Sequence, residues 1–383
     1  MKQSFKEPWN IVFKERIGKL RETSNRKRVA YIYDKPDSGT FRYRAYNPSQ
    51  ALNFSNHWTG SYFFKEEIPL LEAHFDILDV MVFIRLTWTP YYDTFFHQAR
   101  KKNIKLVFDI DDLVFDINKI PCLMNTLSVQ FSDENLLNWF GHSSLLNTLG
   151  KKCDYSFGTN AYLCKFLQDA LKTPSFVTNN FLNLEQIRVS EKLYQNKMQN
   201  SNKSDFFKIG YFSGSSTHKN DFDRIAREIE LLLEEHPNMK LEVVGFMDFP
   251  RYLQKYIQNK QILLSPFVDF LTLQNKIAQV DVNIVPLIDN EFTNCKSELK
   301  FFEAAIVGTL TCATPTYVFK ENIKHQQTGF LCQEGDWYDY IKKIYNGSIS
   351  ASITKNARDY CLNKYSPESQ CPELEKTLET IIQ

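Results

Sequence analysis

The sequence predicts an α/β chain built as two tandem Rossmann-like domains. Three observations carry that expectation. The chain has 383 residues, which suits two domains of ordinary size. Short β-branched or aromatic runs alternate with longer amphipathic stretches, the pattern of parallel strands joined by crossover helices. A polar segment, Tyr194–Asp205 (YQNKMQNSNKSD), interrupts the alternation, which restarts directly after it.

In the first half, strands are predicted over Arg28–Asp34, Val80–Arg85, Ile104–Ile110, Tyr155–Thr159 and Ser175–Thr178, each a short run rich in Val, Ile, Phe or Tyr. Helices are expected over Ser49–Leu52, Tyr91–Lys102, Asn135–Gly150 and Ala161–Leu171. The second series has strands Phe207–Ser213, Lys240–Gly245, Gln261–Leu264, Val282–Pro286 and Thr309–Ala313. Its helices are Asn220–His236, Pro250–Gln258, Leu271–Gln279, Lys296–Val307 and those from Asp336 to the C-terminus. The expected organisation is an N-terminal extension (1–28), a first domain (29–193), a linker (194–205) and a second domain (206–383) whose last helix is a candidate to pack back on the first.

Composition narrows the function. Lys and Arg total 46 against 45 Asp and Glu, and a net charge of +1 provides no field to hold a polyanion, so dedicated nucleic-acid binding is disfavoured. An apolar share of 43% with 24% charged residues excludes disordered, collagenous and coiled-coil chains. The eight cysteines contain no CxxC pair and no neighbouring His at ligand spacing, which reads as reduced, mostly buried thiols in a cytoplasmic protein. No apolar run reaches signal-peptide or membrane-span length.

Four stretches carry residues suited to chemistry. In Asn294–Thr314 (NCKSELKFFEAAIVGTLTCAT), helical spacing puts Lys300 and Glu303 on one face, just beyond the strand that ends at Pro286. The plainer alternative is a solvated i,i+3 ion pair. In Ile209–Phe222 (IGYFSGSSTHKNDF), a strand runs into Ser213, Gly214, Ser215, Ser216 and Thr217, small or hydroxylated residues that let amides approach a phosphate, followed by His218 and Lys219. An ordinary polar turn would use the same residues. In Asp34–Asn47 (DKPDSGTFRYRAYN), Gly39 permits close approach, and Arg42 and Arg44 are able to clamp an anion or to sit solvated in a loop. In Val107–Asp116 (VFDIDDLVFD), Asp109, Asp111 and Asp112 end an apolar strand, as binding or proton-handling groups or as a helix cap. Arg85, at the end of the preceding strand, either reaches the same region or is a surface charge.

The Lys300/Glu303 helix, the Ser/Gly loop before it and the Gly329-Phe330-Leu331 segment after it resemble the donor-binding half of the two-Rossmann (GT-B) glycosyltransferases of family 4, a retaining nucleotide-sugar-dependent type common in bacterial surface polysaccharide (capsule, O-antigen) assembly. The resemblance implies two domains facing each other across a cleft, with donor on the C-terminal and acceptor on the N-terminal side. It implies that Lys300 neutralises the departing diphosphate and Glu303 holds the ribose, while Ser213 to Lys219 and Gly39 meet the phosphates. The signature has a second Glu eight positions before Glu303, where this chain has Cys295; Glu298 is the nearest acid and the substitute candidate for the donor. Catalytic candidates are then Lys300, Glu303 and Asp109, and acceptor candidates Arg42, Arg44, Arg85, Asp111 and Asp112. No metal or cofactor is expected beyond the nucleotide-diphosphate-sugar substrate, and the acceptor is a glycan or lipid-linked glycan.

Other readings stay open. Asp109 and Asp111 form a D-x-D, the metal-diphosphate motif of the GT-A transferase fold. The missing first Glu also allows a non-catalytic, transferase-like binding subunit, and an epimerase or phosphorylase has similar architecture. Residues 1–28 hold nine Lys/Arg and three Glu, with Trp9, Phe13, Ile17 and Leu20 on one helical face. That pattern suits either contact with the inner face of the cytoplasmic membrane or packing on the protein itself.

Overall fold

The computed structural model describes residues 5–22, 25–199, 205–213, 219–349 and 352–383. Each half of the chain holds a six-stranded, all-parallel sheet with helices on both faces. The first sheet comprises β1 (Lys27–Tyr33), β2 (Trp58–Phe64), β3 (Val80–Ile84), β4 (Lys105–Asp109), β5 (Tyr155–Gly158) and β6 (Ser175–Val177), in the order β2-β1-β3-β4-β5-β6. The second comprises β7 (Phe207–Phe212), β8 (Met239–Val244), β9 (Ile262–Ser265), β10 (Val282–Val285), β11 (Leu310–Ala313) and β12 (Phe330–Leu331), in the order β12-β11-β10-β7-β8-β9. Strands such as β3 and β10 are buried along their whole length, because crossover helices cover both faces of a parallel sheet.

Both sheets reverse strand order once, between β1 and β3 and between β7 and β10. A crevice opens at such a point, outside the carboxyl ends of the strands. Those two points position everything that follows.

Several expected elements differ in detail. Strand β2 was not foreseen: its sequence WTGSYFF carries a central Gly60, and a Cβ there would come within 2.9 Å of Leu52 Cδ1, so close packing against a helical turn dictates the residue. The helix expected over Asn220–His236 is two pieces, Lys219–Asp223 and Ala226–Glu235. The helix Leu184–Gln199 runs through the first part of the segment read as a linker; residues 200–204 lie outside the described ones. The helix expected from Lys296 begins only at Leu299, after a separate turn Glu291–Asn294 that Asn290 caps by accepting from the Thr293 amide at 3.0 Å.

The halves are held together along a long seam. The last helix, Pro367–Ile382, returns to the first half, where Glu379 accepts from Trp58 Nε1 at 2.7 Å and pairs with Lys27 at 2.6 Å. Phe292 and Cys295 of the second half are buried in the hydrophobic core of the first. Asn160, which caps the helix Ala161–Leu171, also donates to the Cys295 carbonyl at 3.1 Å, so one side chain both starts a helix and joins the halves.

The extension is consumed by the same seam. Trp9 is 1% exposed and stacks on Phe270 of the second half with ring centroids 5.6 Å apart. In the helix Phe13–Glu22, Ile17 and Leu20 are buried, Arg16 pairs with Glu67, and Lys19 donates to the carbonyls of Ser49 and Gly60. Of the two alternatives for this apolar face, a membrane surface or the protein itself, the structure has it packed on the protein's own core. Among the described residues no helix is long and apolar enough to cross a membrane.

Candidate active site

A cavity of about 280 Å³ opens between the two switch points. Its N-terminal wall comes from the loop after β1 (Ser38 to Tyr43), from Arg85 after β3 and from Asp111 and Asp112 after β4. Its C-terminal wall comes from Ser213 after β7, Gly245 after β8, Phe267 and Val268 after β9, and Lys300 with Glu303.

Lys300 and Glu303 share the cavity face of the helix Leu299–Ala305, whose other side buries Phe301, Phe302, Ala304 and Ala305. Among the described residues no carboxylate lies within ion-pair distance of the Lys300 ammonium, which sits over the Tyr211 ring at 5.5 Å. Burial pushes its pKa down to about 8, against the opposing pull of Asp221 and Glu303 and with the help of Lys296. A cation desolvated by its own walls, with no ion-pair partner among the described residues, is suited to receive an anion from solution. The helix is a short seven-residue one, so the side-chain charge rather than the helix terminus supplies that attraction.

Glu303 is buried and held by side chains of the first half rather than paired with Lys300. Its Oε1 accepts from Arg42 Nη2 at 3.2 Å, from Gln186 Nε2 at 3.2 Å and, in a short contact, from the Tyr43 hydroxyl. Arg42 is thereby engaged: it also donates to the Ser38 carbonyl at 2.7 Å and to Gln186 Oε1 at 3.0 Å, and it stacks on Phe270. It lines the cavity but, 2% exposed, is not the free anion clamp that was expected.

Asp109 and Arg44 do not belong to the cavity wall. Arg44 Nε and Nη2 donate to Asp109 Oδ1 and Oδ2 at 2.8 and 2.6 Å, and the guanidinium is completed by the Thr178 carbonyl and Asn180 Oδ1 at 2.6 and 3.1 Å. Burial pushes the Asp109 carboxyl up and Arg44 opposes that shift. Asp109 as a catalytic acid and Arg44 as an acceptor ligand are thus corrected: each occupies the other. The same contact dissolves the D-x-D reading, since Asp109 faces Arg44 while Asp111 faces Arg85 at 3.1 Å, and the fold is not the GT-A one.

Arg85, Asp111 and Asp112 are brought together at the wall opposite Lys300. Arg85 adopts a left-handed backbone, φ 48°, strained for a residue with a side chain, and contacts Asp111 and Asp112 at 3.1 and 3.6 Å. Lys296 reaches Asp112 from the other half at 3.2 Å, and Thr40 donates to Asp111 at 2.9 Å. Gly39 also lines the cavity, its amide donating to Asp37 at 2.7 Å.

Glu298 turns away from the cavity. It accepts from the Tyr365 hydroxyl at 2.6 Å, and burial pushes its carboxyl pKa up. It cannot substitute for the missing first Glu, and Cys295, at that position, is buried in the seam. Gly214, Ser215, Ser216, Thr217 and His218 lie outside the described residues; Lys219 begins the next helix. Sequence reasoning missed Tyr43, Gln186 and Phe267. Tyr43 stood between the two quoted arginines; Gln186 carried no local signal, and Phe267, 66% exposed at the cavity mouth, was hidden by the abundance of Phe.

Residues 207–346 match the family of glycosyl transferases group 1. The fold is shared with HepE of Anabaena in complex with UDP and glucose, at 13% identity over 92% of this chain and 100% of that one, TM-score 0.58. It is shared too with sucrose-phosphate synthase of Thermosynechococcus elongatus (14% identity, 93% and 99% covered, TM-score 0.60) and a glycosyltransferase of Rickettsia africae (13%, 94% and 99%, TM-score 0.62). No curated protein matches the sequence. The domain match over the second half and the two facing Rossmann-like sheets define the chain as an enzyme of the glycosyltransferase class, built on the GT-B architecture.

Proposed function

We propose that the chain moves a sugar from a nucleotide-diphosphate-sugar to a glycan or lipid-linked glycan acceptor, with retention of configuration, in bacterial surface polysaccharide assembly. The observation that carries this reading is the Lys300 ammonium in the cavity wall beside Glu303, with no carboxylate within ion-pair distance among the described residues. The Anabaena neighbour, solved with UDP and glucose, supports a donor of that chemistry.

The donor diphosphate sits against Lys300 and the end of β7 at Ser213, with a hydroxyl pair of the nucleotide near Glu303. As the glycosidic bond breaks, negative charge grows on the diphosphate, and a fixed ammonium lowers the barrier by stabilising that charge more than it stabilises the ground state. The acceptor hydroxyl enters from the wall of Arg85, Asp111 and Asp112 and attacks on the face from which the diphosphate leaves, the leaving oxygen taking its proton. Lys300 performs the charge neutralisation that a divalent ion performs elsewhere, so we expect no metal requirement. Nucleotide-sugars are cytoplasmic metabolites, which places the reaction there.

A thermal-shift series with UDP, GDP, dTDP and CMP tests the donor class, because a ligand that binds only the folded state raises its melting temperature. At least one diphosphate is expected to raise it; no shift from any of them, at millimolar concentration, refutes the reading.

A further inference from the structure

We infer that the helix Asp133–Lys152 is the docking surface for a second copy of this chain, the two copies' helices lying antiparallel across a two-fold axis. The inference goes beyond the proposed function and does not rest on it. The helix has 20 residues, and its inward side buries Ser143, Leu146, Leu149 and Gly150. Its outward side is apolar at the centre: Leu137 is 74% exposed, and Phe140 and Leu145 are each 40% exposed. At helical spacing Glu134, Leu137, Gly141, Ser144 and Thr148 make one outward row, three or four residues apart. Gly141 weakens the interior of this helix, and the chain's own packing gives no reason for it, since a Cβ there would meet nothing within 4 Å. A second helix crossing at that point does give one, because a missing side chain lets two backbones approach.

The charges decide which partner and which direction. The first turn carries Asp133 and Glu134, and the last carries Lys151 and Lys152. Lys152 pairs with Asp93 at 2.8 Å, whereas Asp133, Glu134 and Lys151 have no ion-pair partner among the described residues. With the two-fold axis between His142 and Ser143, the acidic turn of each copy lies over the basic turn of the other, Leu137 over Thr148, and Gly141 beside Ser144. Antiparallel packing also sets opposite ends of the two helix dipoles side by side. An anionic membrane suits this face poorly, because from Asp133 to Gly150 the helix carries two acids and no Lys or Arg. The helix also borders the cavity: Trp88, just beyond Arg85, donates its amide to the Leu145 carbonyl at 3.0 Å. A dimer formed here therefore sets the Arg85 walls of two cavities on either side of one interface.

The experiment is sedimentation velocity of the full chain across the micromolar range, with melting curves taken at the dilute end, where the wild type is monomeric. Two helices of this length bury area at the low end of the specific range, about 1,000 Å² in total, so a dimer with micromolar dissociation is expected. Leu137→Lys and Gly141→Glu should each weaken it about tenfold or more, as hot-spot substitutions do. The melting temperature should stay unchanged in the first and rise slightly in the second, where a glycine leaves a helix interior. Lys151→Glu should also weaken the dimer, and Asp133→Lys combined with Lys151→Glu should restore it, since that exchange is complementary between antiparallel copies. A wild type that remains monomeric at the concentrated end overturns the inference, as does a dimer indifferent to both Leu137→Lys and Gly141→Glu. A charge exchange that fails to restore association overturns the antiparallel arrangement. Flotation of the wild type with phosphatidylcholine–phosphatidylglycerol vesicles, lost in Leu137→Lys, would give this face to a membrane and overturn the inference as well.

Discussion

Arg44 and Asp109 form a bidentate pair inside the first half, with Nε to Oδ1 at 2.8 Å and Nη2 to Oδ2 at 2.6 Å, and each residue is 2% exposed. The pair fixes the loop after β1 to the end of β4, the two segments whose neighbours line the cavity. Breaking one partner leaves a buried charge uncompensated. Asp109→Asn should therefore lower unfolding stability by about 3–5 kcal/mol in urea denaturation. Nucleotide affinity of the folded variant should stay near wild type. A large loss of turnover at unchanged stability would return Asp109 to the chemistry.

Lys300→Ala should lower turnover about 10²-fold or more, the effect of removing one preorganised charge-stabilising group. Steady-state kinetics with the donor found by thermal shift measures it, and turnover near wild type rejects the role.

The same lysine sets a pH dependence. Its pKa in the free protein is about 8, below its ordinary 10.5. Below pH 8 the ammonium is charged and ready for a diphosphate; above it, binding must take up a proton, so affinity should fall about tenfold per pH unit. For stability the sign is opposite: between pH 8 and 10.5 the unfolded chain holds more protons at this residue, so its contribution to stability rises with pH. Calorimetric titrations from pH 7 to 9.5 should show the affinity decline in the wild type and a flat profile in Lys300→Met.

Gly245 follows β8 directly with φ 107°, and a Cβ there would lie 1.9 Å from the Ser213 carbonyl oxygen. Gly245→Ala should cost roughly 2–3 kcal/mol or more from the strained backbone and displaced strand end. Because Ser213 and Gly245 both line the cavity, the variant should also bind nucleotide more weakly than its residual fold would allow. Melting and binding measured on one preparation check both effects.

Trp9 joins the extension to both halves. Its ring stacks on Phe270 and meets Phe41 and Tyr46 edge-on, and its carbonyl accepts from the Tyr62 hydroxyl at 2.9 Å. Trp9→Ala should lower stability by about 3–5 kcal/mol, as for other fully buried aromatic truncations. Liposome flotation of the wild type should show no association; flotation abolished by removal of residues 1–12 would contradict the packed state.

Strands were legible because parallel strands buried on both faces are continuous apolar runs, and β4 and β7 stand within a residue or two of where composition places them. Strand β2 was not, since Gly60 is there for a neighbour's packing that no local pattern records. Helical spacing alone put Lys300 and Glu303 on one face, and the structure has them both on the cavity. Spacing could not separate Asp109 from Asp111, or Arg42 from Arg44. Each pair sits two residues apart, but β4 ends at Asp109, leaving Asp111 in a loop, and the π-helical turn Arg42–Tyr46 sends its two arginines to different partners.

By itself the sequence determined two α/β halves, a Lys-Glu helix at a strand end and a near-neutral chain, all consequences of periodicity and local composition. Only the tertiary structure decided which charges are free. Arg44 meets an acid 65 residues away and Arg42 one 261 residues away, and each contact neutralises a group that looked available. A buried charge takes the partner that burial brings within hydrogen-bond reach, and that choice depends on how two distant sheets close, which no local pattern of residues encodes.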